Sequence, residues 1–131
     1  MSVIPSLAAG LAQLQALASF LDTGSNNATF VFYDDVKPVS VNVAANSSAK
    51  LATLTFPKPC FKKLNTDGIE LNQTDAALVI KAGTATWARI YNGKGEAVAD
   101  FAIGTEITLA QPNLALGSTL MINSFVLKPT T

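Results

Sequence analysis

Residues 84–103 read TATWARIYNGKGEAVADFAI, two strand-like runs joined by the glycine-rich stretch 92–95. Side chains alternate in the first run as they do along a β-strand, and Asn-Gly is favoured in tight hairpin turns because it tolerates a positive φ. A phosphate-binding loop would require G-x-G-x-x-G or Gly-Lys-Ser/Thr ahead of a helix. Here Val98 replaces the third glycine, and Gly95 is followed by Glu96, whose carboxylate would repel phosphate. The stretch therefore predicts a β-hairpin and no nucleotide cofactor.

Similar short runs fill most of the chain on both sides of this hairpin. They are rich in β-branched and aromatic residues, or alternate apolar with polar residues, and turn signals separate them about every ten residues. We predict strands at 29–33, 39–43, 51–56, 69–71, 77–81, 84–91, 98–103, 106–109 and 119–127. This pattern is typical of an antiparallel β-sandwich or jelly roll. The expected fold is mainly β, in a single domain over 1–131 with the β-sandwich at 28–128.

Residues 6–21 form the one stretch with helical periodicity. Leu7, Leu11 and Leu14 continue to Ala18 and Leu21 at three- and four-residue spacing, which lines one face of a helix. The opposite face carries no charge, so the helix is expected to pack inside the domain or against a neighbouring subunit. The first basic residue comes only at position 37 and glutamines interrupt the apolar run, so we predict neither a secretion signal nor a membrane span.

The composition narrows the possible chemistry. Only 14% of the 131 residues are charged, nine basic residues balance nine acidic ones, and there is no histidine. A neutral chain has no electrostatic reason to bind nucleic acid or an anionic membrane. The usual serine and cysteine triads need histidine, as do most zinc sites, and the single Cys60 is predicted to be a small buried side chain. We predict no enzyme, metal or cofactor, and a weakly charged surface that is partly covered by copies of the chain.

Two groups of acidic residues are considered as possible catalytic or metal sites. Asp34 and Asp35 are neighbours on a predicted strand end, where they would point to opposite faces and could not act as an acid–base pair. The turn at 65–70 contains Asp67 and Glu70 around a glycine, the closest approach to a calcium loop. It is interpreted either as a weak ion site or as a solvated turn, and the turn is favoured.

Trp87, Arg89 and Tyr91 are expected on one face of the hairpin's first strand. Such a row could stack a sugar ring or anchor a protein interface. The other interpretation, a core tryptophan with an arginine at the edge, is favoured. Together with Leu7, Leu11 and Leu14, these three residues are the candidate interface.

The chain resembles a loose group of small proteins encoded among the virion genes of tailed bacteriophages. The resemblance lies in GTATWARIYNGKGEAVADFAIGTEITL at 83–109 and GSTLMINSFVLK at 117–128, preceded by an apolar helix and segments like TFVFYD and KLATLTFPKPCF. It covers most of the chain through strand-and-turn patterns, although the KPCFKK segment is more basic than in the group. It implies a β-sandwich assembled in many copies on a phage particle.

These observations lead to a functional expectation. We expect a non-enzymatic structural subunit of a bacteriophage virion, such as a capsid decoration or cement protein. Its partners would be copies of itself and other virion proteins, such as major capsid or tail proteins, without nucleic acid or membrane, and its location would be the virion. The alternative is a tail or baseplate module that binds host-surface glycan.

Overall fold

The computed structural model describes residues 5–107, 109, 111–122 and 125–129. In this part the protein is mainly β, with antiparallel sheets and one α-helix. The elements in chain order are α1 (Leu7–Leu21), β1 (Thr29–Tyr33), a 3-10 turn (Ser47–Ala49), β2 (Lys50–Thr55), β3 (Phe61–Leu64), β4 (Ile69–Leu71), β5 (Ala77–Leu78), β6 (Gly83–Thr84), β7 (Trp87–Tyr91), β8 (Ala97–Ala102), β9 (Asn113–Leu114), β10 (Thr119–Leu120) and β11 (Phe125–Leu127).

Helix α1 confirms the predicted helix to within one residue. Ser6 is its N-cap, and the Ser6 hydroxyl accepts a hydrogen bond from the Ala9 N–H at 3.2 Å. The helix packs against β3 and β4, and its Ala18 and Leu21 are buried in the main core, whereas Gly10 is buried beside Pro129. A Cβ at Gly10 would overlap the Pro129 side chain, so this glycine allows residue 129 to lie against the helix.

The largest sheet has four antiparallel strands in the order β2-β1-β7-β8. Its aromatic strand β1 is central and pairs with β2 on one side and β7 on the other. Phe30 and Phe32 point to one face, with Leu54 and Ile90, and enter the main hydrophobic core. We call this the inner face. Val31, Tyr33 and the alternate residues of β7 form the outer face.

Strands β7 and β8 form the predicted hairpin, but its glycines act differently from the prediction. The turn closes with the Gly95 N–H donating to the Asn92 carbonyl at 3.0 Å, and the positive φ of 84° is at Gly95, not Gly93. A Cβ at Gly93 would overlap the carbonyl oxygens of Thr23 and Asn26. Gly93 is therefore required by the close approach of the 23–26 loop, and Gly95 by the backbone conformation.

The other three sheets are small. They have the orders β11-β4-β3, β10-β5 and β6-β9. The three-stranded sheet contributes to the same core as the inner face, with the Phe125 ring centroid 5.2 Å from that of Phe30 and 5.4 Å from that of Phe101. The mainly β, antiparallel class is thus confirmed. A closed sandwich or jelly roll is not established, because the pairing is divided among four small sheets.

Several strand predictions need correction. Residues 39–43 form turns and bends instead of a strand, and Val39 is 96% exposed. The predicted strand at 106–109 is reduced to a bridge between Ile103 and Ile107, and its residue 108 lies outside the described residues. The predicted strand at 119–127 is two strands, β10 and β11, and residues 123–124 between them also lie outside that description. The predicted strand at 84–91 is also divided, because Thr84 belongs to β6, which pairs with β9, and only residues 87–91 form β7. Strands β3 and β9 were not predicted.

Candidate functional site

Trp87, Arg89 and Tyr91 lie together on the outer face, as predicted, but they are not an exposed row. Segment 34–49 crosses this face, and its Ala45 and Ala49 pack into a second hydrophobic cluster that contains Trp87. Trp87 is fully buried and Arg89 is 2% exposed, while Tyr91 is half-buried. The favoured interpretation of Trp87 as a core residue is thus confirmed, whereas the expected edge position of Arg89 is wrong.

Arg89 fastens segment 34–49 to the sheet. Its Nε donates to Asp100 Oδ1 at 2.6 Å and its Nη2 to Asp100 Oδ2 at 3.0 Å, a bidentate pair across neighbouring strands. Its Nη1 donates to the Val43 carbonyl at 2.8 Å, and Nη2 reaches the Ser40 carbonyl at 3.4 Å. The hydrogen bond to Asp100 raises the pKa of Arg89 further above its usual value. The guanidinium is a permanent cation that joins two strands and a loop.

Trp87 is enclosed by its own contacts. Its ring stacks on Tyr33 with centroids 4.4 Å apart, and the Arg89 guanidinium carbon lies 5.2 Å from its centroid. Its Nε1–H donates to Asp35 Oδ1 at 2.7 Å. The hydroxyls of Tyr33 and Tyr91 are 2.9 Å apart, and burial together with this bond raises the pKa of Tyr33 above its usual range. A sugar ring has no free tryptophan face to stack on here.

The segment held by these contacts presents apolar side chains to solvent. We define the valine loop as residues 36–43, in which Val36 is 88% and Val39 96% exposed and Val43 is also exposed. The loop has its own turn bonds, from the Val43 N–H to the Ser40 carbonyl at 3.2 Å and from the Asn42 N–H to Ser40 Oγ at 3.0 Å. The loop is therefore an exposed apolar segment whose backbone carbonyls are hydrogen-bonded to Arg89.

Sequence reasoning missed this loop because alternating valines resemble a strand. One signal pointed the other way: Pro38 has no N–H to donate and demotes a strand pattern to an edge or a loop. Exposure of the valines could not be inferred, since it depends on where Arg89 places its donors.

A second exposed apolar surface lies where β5 pairs with β10. We define the leucine ribbon as residues 77–80 and 116–121, joined by bonds between Val79 and the chain at 117–118. Its exposed large side chains are Leu78, Ile80, Leu116 and Met121, of which the first three are more than half exposed. A groove of about 430 Å³ borders it, lined by Leu109, Leu114, Leu120, Met121 and uncharged polar residues. No sequence pattern marks this surface.

The three helix residues of the candidate interface have different surroundings. Leu7 is exposed, Leu11 is half-buried, and Leu14 packs against the main core. Leu14 thus serves its own domain at least in part, whereas a role for Leu7 in an interface stays a prediction.

The acidic residues of both groups pair with other side chains of the same chain. Asp34 pairs with Lys81 at 3.0 Å, and Asp35 accepts from Trp87. In the turn at 65–70, Asp67 pairs with Lys128 at 3.5 Å and Glu70 with Lys62 at 3.1 Å, and the hydrogen bond from Lys62 lowers the pKa of Glu70. Among the residues that the structure describes, no group of three His, Cys, Asp or Glu side chains is placed to hold a metal ion.

Cys60 is buried, as predicted. Burial, and then the hydrogen bond and charge of Asp22, raise the pKa of the Cys60 thiol to about 12. The thiol is therefore protonated and shielded at neutral pH, which makes it a poor nucleophile.

Within the described part of the chain, no helix is both long and apolar enough to cross a membrane. Comparisons of the chain with protein-family models, with curated proteins and with solved structures gave no significant match.

Proposed function

We propose that this protein is a non-enzymatic structural subunit of a tailed-bacteriophage virion, a capsid decoration or cement protein or another particle-assembly component. It assembles with copies of itself and with other virion proteins, such as major capsid or tail proteins. The sequence resemblance suggests the setting, and the surface of the molecule suggests the mode of action.

The observation that carries the proposal is the valine loop. Two nearly fully exposed valines are displayed on a loop that Arg89, Asp100 and Trp87 hold in place. Burying both side chains would contribute about 3–6 kcal/mol. Because the loop is already ordered, little of this is lost to conformational entropy on binding. A fixed apolar protrusion is suited to docking on another protein surface.

We also propose that the fold is an incomplete β-sandwich. The ring contacts of Phe125 with Phe30 and Phe101 support a second layer, formed by β11-β4-β3, under the inner face of the four-stranded sheet. The two layers would then leave the outer face free to carry the valine loop. The glycan-binding alternative is less well supported, since its aromatic platform is covered by the protein's own residues.

Two measurements test the proposal. Quantitative mass spectrometry of purified particles should find the protein in many copies per virion. Light scattering of the isolated protein should show a mass that rises with concentration, and Val39→Ser should weaken this association. Leu64→Ser is the matched control, since Leu64 is exposed on β3, which belongs to a different sheet from the one that carries the loop. Absence from purified particles would contradict the virion assignment, and a strict monomer would contradict self-assembly.

A further inference from the structure

The exposed apolar side chains are concentrated on two surfaces. Of the ten large apolar residues that are exposed in the described part of the chain, three lie on the valine loop and four on the leucine ribbon. The groove beside the ribbon is lined entirely by uncharged residues, and the valine loop carries a single charge, at Lys37. One surface protrudes and the other is partly concave, so they suit each other better than either suits itself.

The charges beside these surfaces are complementary. Asp75, two residues before β5, is exposed. Within the described residues its carboxylate has no ion-pair or hydrogen-bond partner, whereas every other acidic side chain has one. Lys37 on the valine loop is also exposed and has no ion-pair partner within the same described residues. The valine loop thus carries an unpaired cation, and an unpaired anion lies close in sequence to the leucine ribbon.

We propose that the valine loop of one copy docks on the leucine ribbon of a second copy, with Lys37 facing Asp75 across the contact. This inference rests on the proposed self-assembly and names the surfaces that carry it. The apolar contact supplies affinity, and the charge pair fixes the orientation of the two copies. Because two unlike surfaces meet, every copy offers one of each, and the contact can be repeated around a symmetric assembly.

Charge reversal is the first test. Lys37→Glu or Asp75→Lys alone should raise the dissociation constant for self-association roughly fivefold, because each places like charges opposite one another. The double variant Lys37→Glu/Asp75→Lys should return it to the wild-type value, since the pair is restored with its signs exchanged. Both side chains are exposed, so the fold is not at risk. A double variant as weak as either single variant would overturn the inference.

Disulfide trapping is the second test. Val39→Cys and Leu78→Cys chains are mixed and oxidised. The buried Cys60 serves as an internal background. Disulfide-linked heterodimers should form from this mixture, and not from a control mixture of Val39→Cys with Leu64→Cys, because linkage requires Cα atoms within about 7 Å. If the wild-type protein associates but the Val39–Leu78 product is absent, the inference fails and the proposed function stands. A wild-type monomer at every concentration would overturn the inference and self-assembly together.

Discussion

The Arg89–Asp100 pair allows the sharpest stability prediction. The side chains of Arg89 and Asp100 are 2% and 6% exposed and share two hydrogen bonds. Asp100→Ala leaves the guanidinium buried with only two backbone carbonyls as acceptors, and this should lower the free energy of unfolding by about 3–5 kcal/mol. The matched control is Asp67→Ala, whose ion pair with Lys128 is exposed on both sides. That change should amount to less than about 1 kcal/mol.

Urea denaturation can measure both variants, followed by the fluorescence of Trp87, the only tryptophan. A domain of this size has a total stability of about 5–15 kcal/mol, so Asp100→Ala can approach the point of unfolding. The double variant Arg89→Met/Asp100→Leu removes both charges and should be more stable than Asp100→Ala, since no buried charge remains unpaired. The reasoning is refuted if Asp100→Ala is as mild as Asp67→Ala, or if the double variant is the least stable of the three.

The same pair should control the valine loop. Arg89→Met removes both donors to the loop carbonyls, so the loop should become more sensitive to elastase, which cleaves after small apolar residues. Cleavage mapped by mass spectrometry should fall within residues 36–45. A loop as resistant as in the wild-type protein would show that Arg89 does not hold it.

Three further predictions follow from other parts of the structure. Gly93→Ala should destabilise the protein by about 2–3 kcal/mol, because the new Cβ overlaps two carbonyl oxygens, and Gly95→Ala by about 1 kcal/mol, because of its positive φ. Lys94→Ala should change the stability by almost nothing. Urea titrations measure all three variants, and a larger effect at Gly95 than at Gly93 would contradict the roles assigned to the two glycines. The pKa of Cys60 is raised from 9.0 to about 12, so its contribution to stability is complete well below pH 9 and is lost as the pH rises towards 12, by about 1 kcal/mol between pH 9 and 10. Cys60→Ala should flatten this decline in alkaline urea titrations, and an unchanged slope would count against it. Melting temperatures with nucleotides, divalent ions or EDTA should coincide, and a shift of several degrees with a nucleotide would reopen the phosphate-loop interpretation.

Local sequence patterns correctly predicted those elements whose tertiary surroundings favour the same secondary structure as the sequence does. The period of α1, the aromatic strand β1 and the hairpin of β7 and β8 are all present, because propensity, turn chemistry and burial favour the same structure there. The tight turn was predicted from Asn92-Gly93 and Lys94-Gly95, but only Gly95 has the positive φ. Gly93 is instead required by the approach of a loop about 70 residues earlier in the chain. Sequence spacing carries no information about such an approach.

The candidate site was predicted only in part, for a similar reason. Alternation placed Trp87, Arg89 and Tyr91 on one face correctly, but the face could be solvent, core or interface. The face is buried because segment 34–49 packs across the sheet. This is a tertiary contact, and no periodicity in the sequence indicates it. The ribbon residues Leu78 and Leu116 could not be predicted, because each is exposed through short strand pairings that no local pattern specifies.

The valine loop connects this tertiary contact with the proposed function. In a strand, Val39, Val41 and Val43 would lie on one face, and burial of that face would cover all three side chains. Instead, Arg89 takes the carbonyls of Ser40 and Val43, so that a buried side chain replaces a neighbouring strand as the hydrogen-bond partner. Val39 and Val43 then stay exposed while Val41 is half-buried, and the domain gains little from the apolar character of the two exposed side chains. A buried charge pair thus holds a loop whose valines are exposed, and this is the observation on which the proposed contact with another protein chain rests.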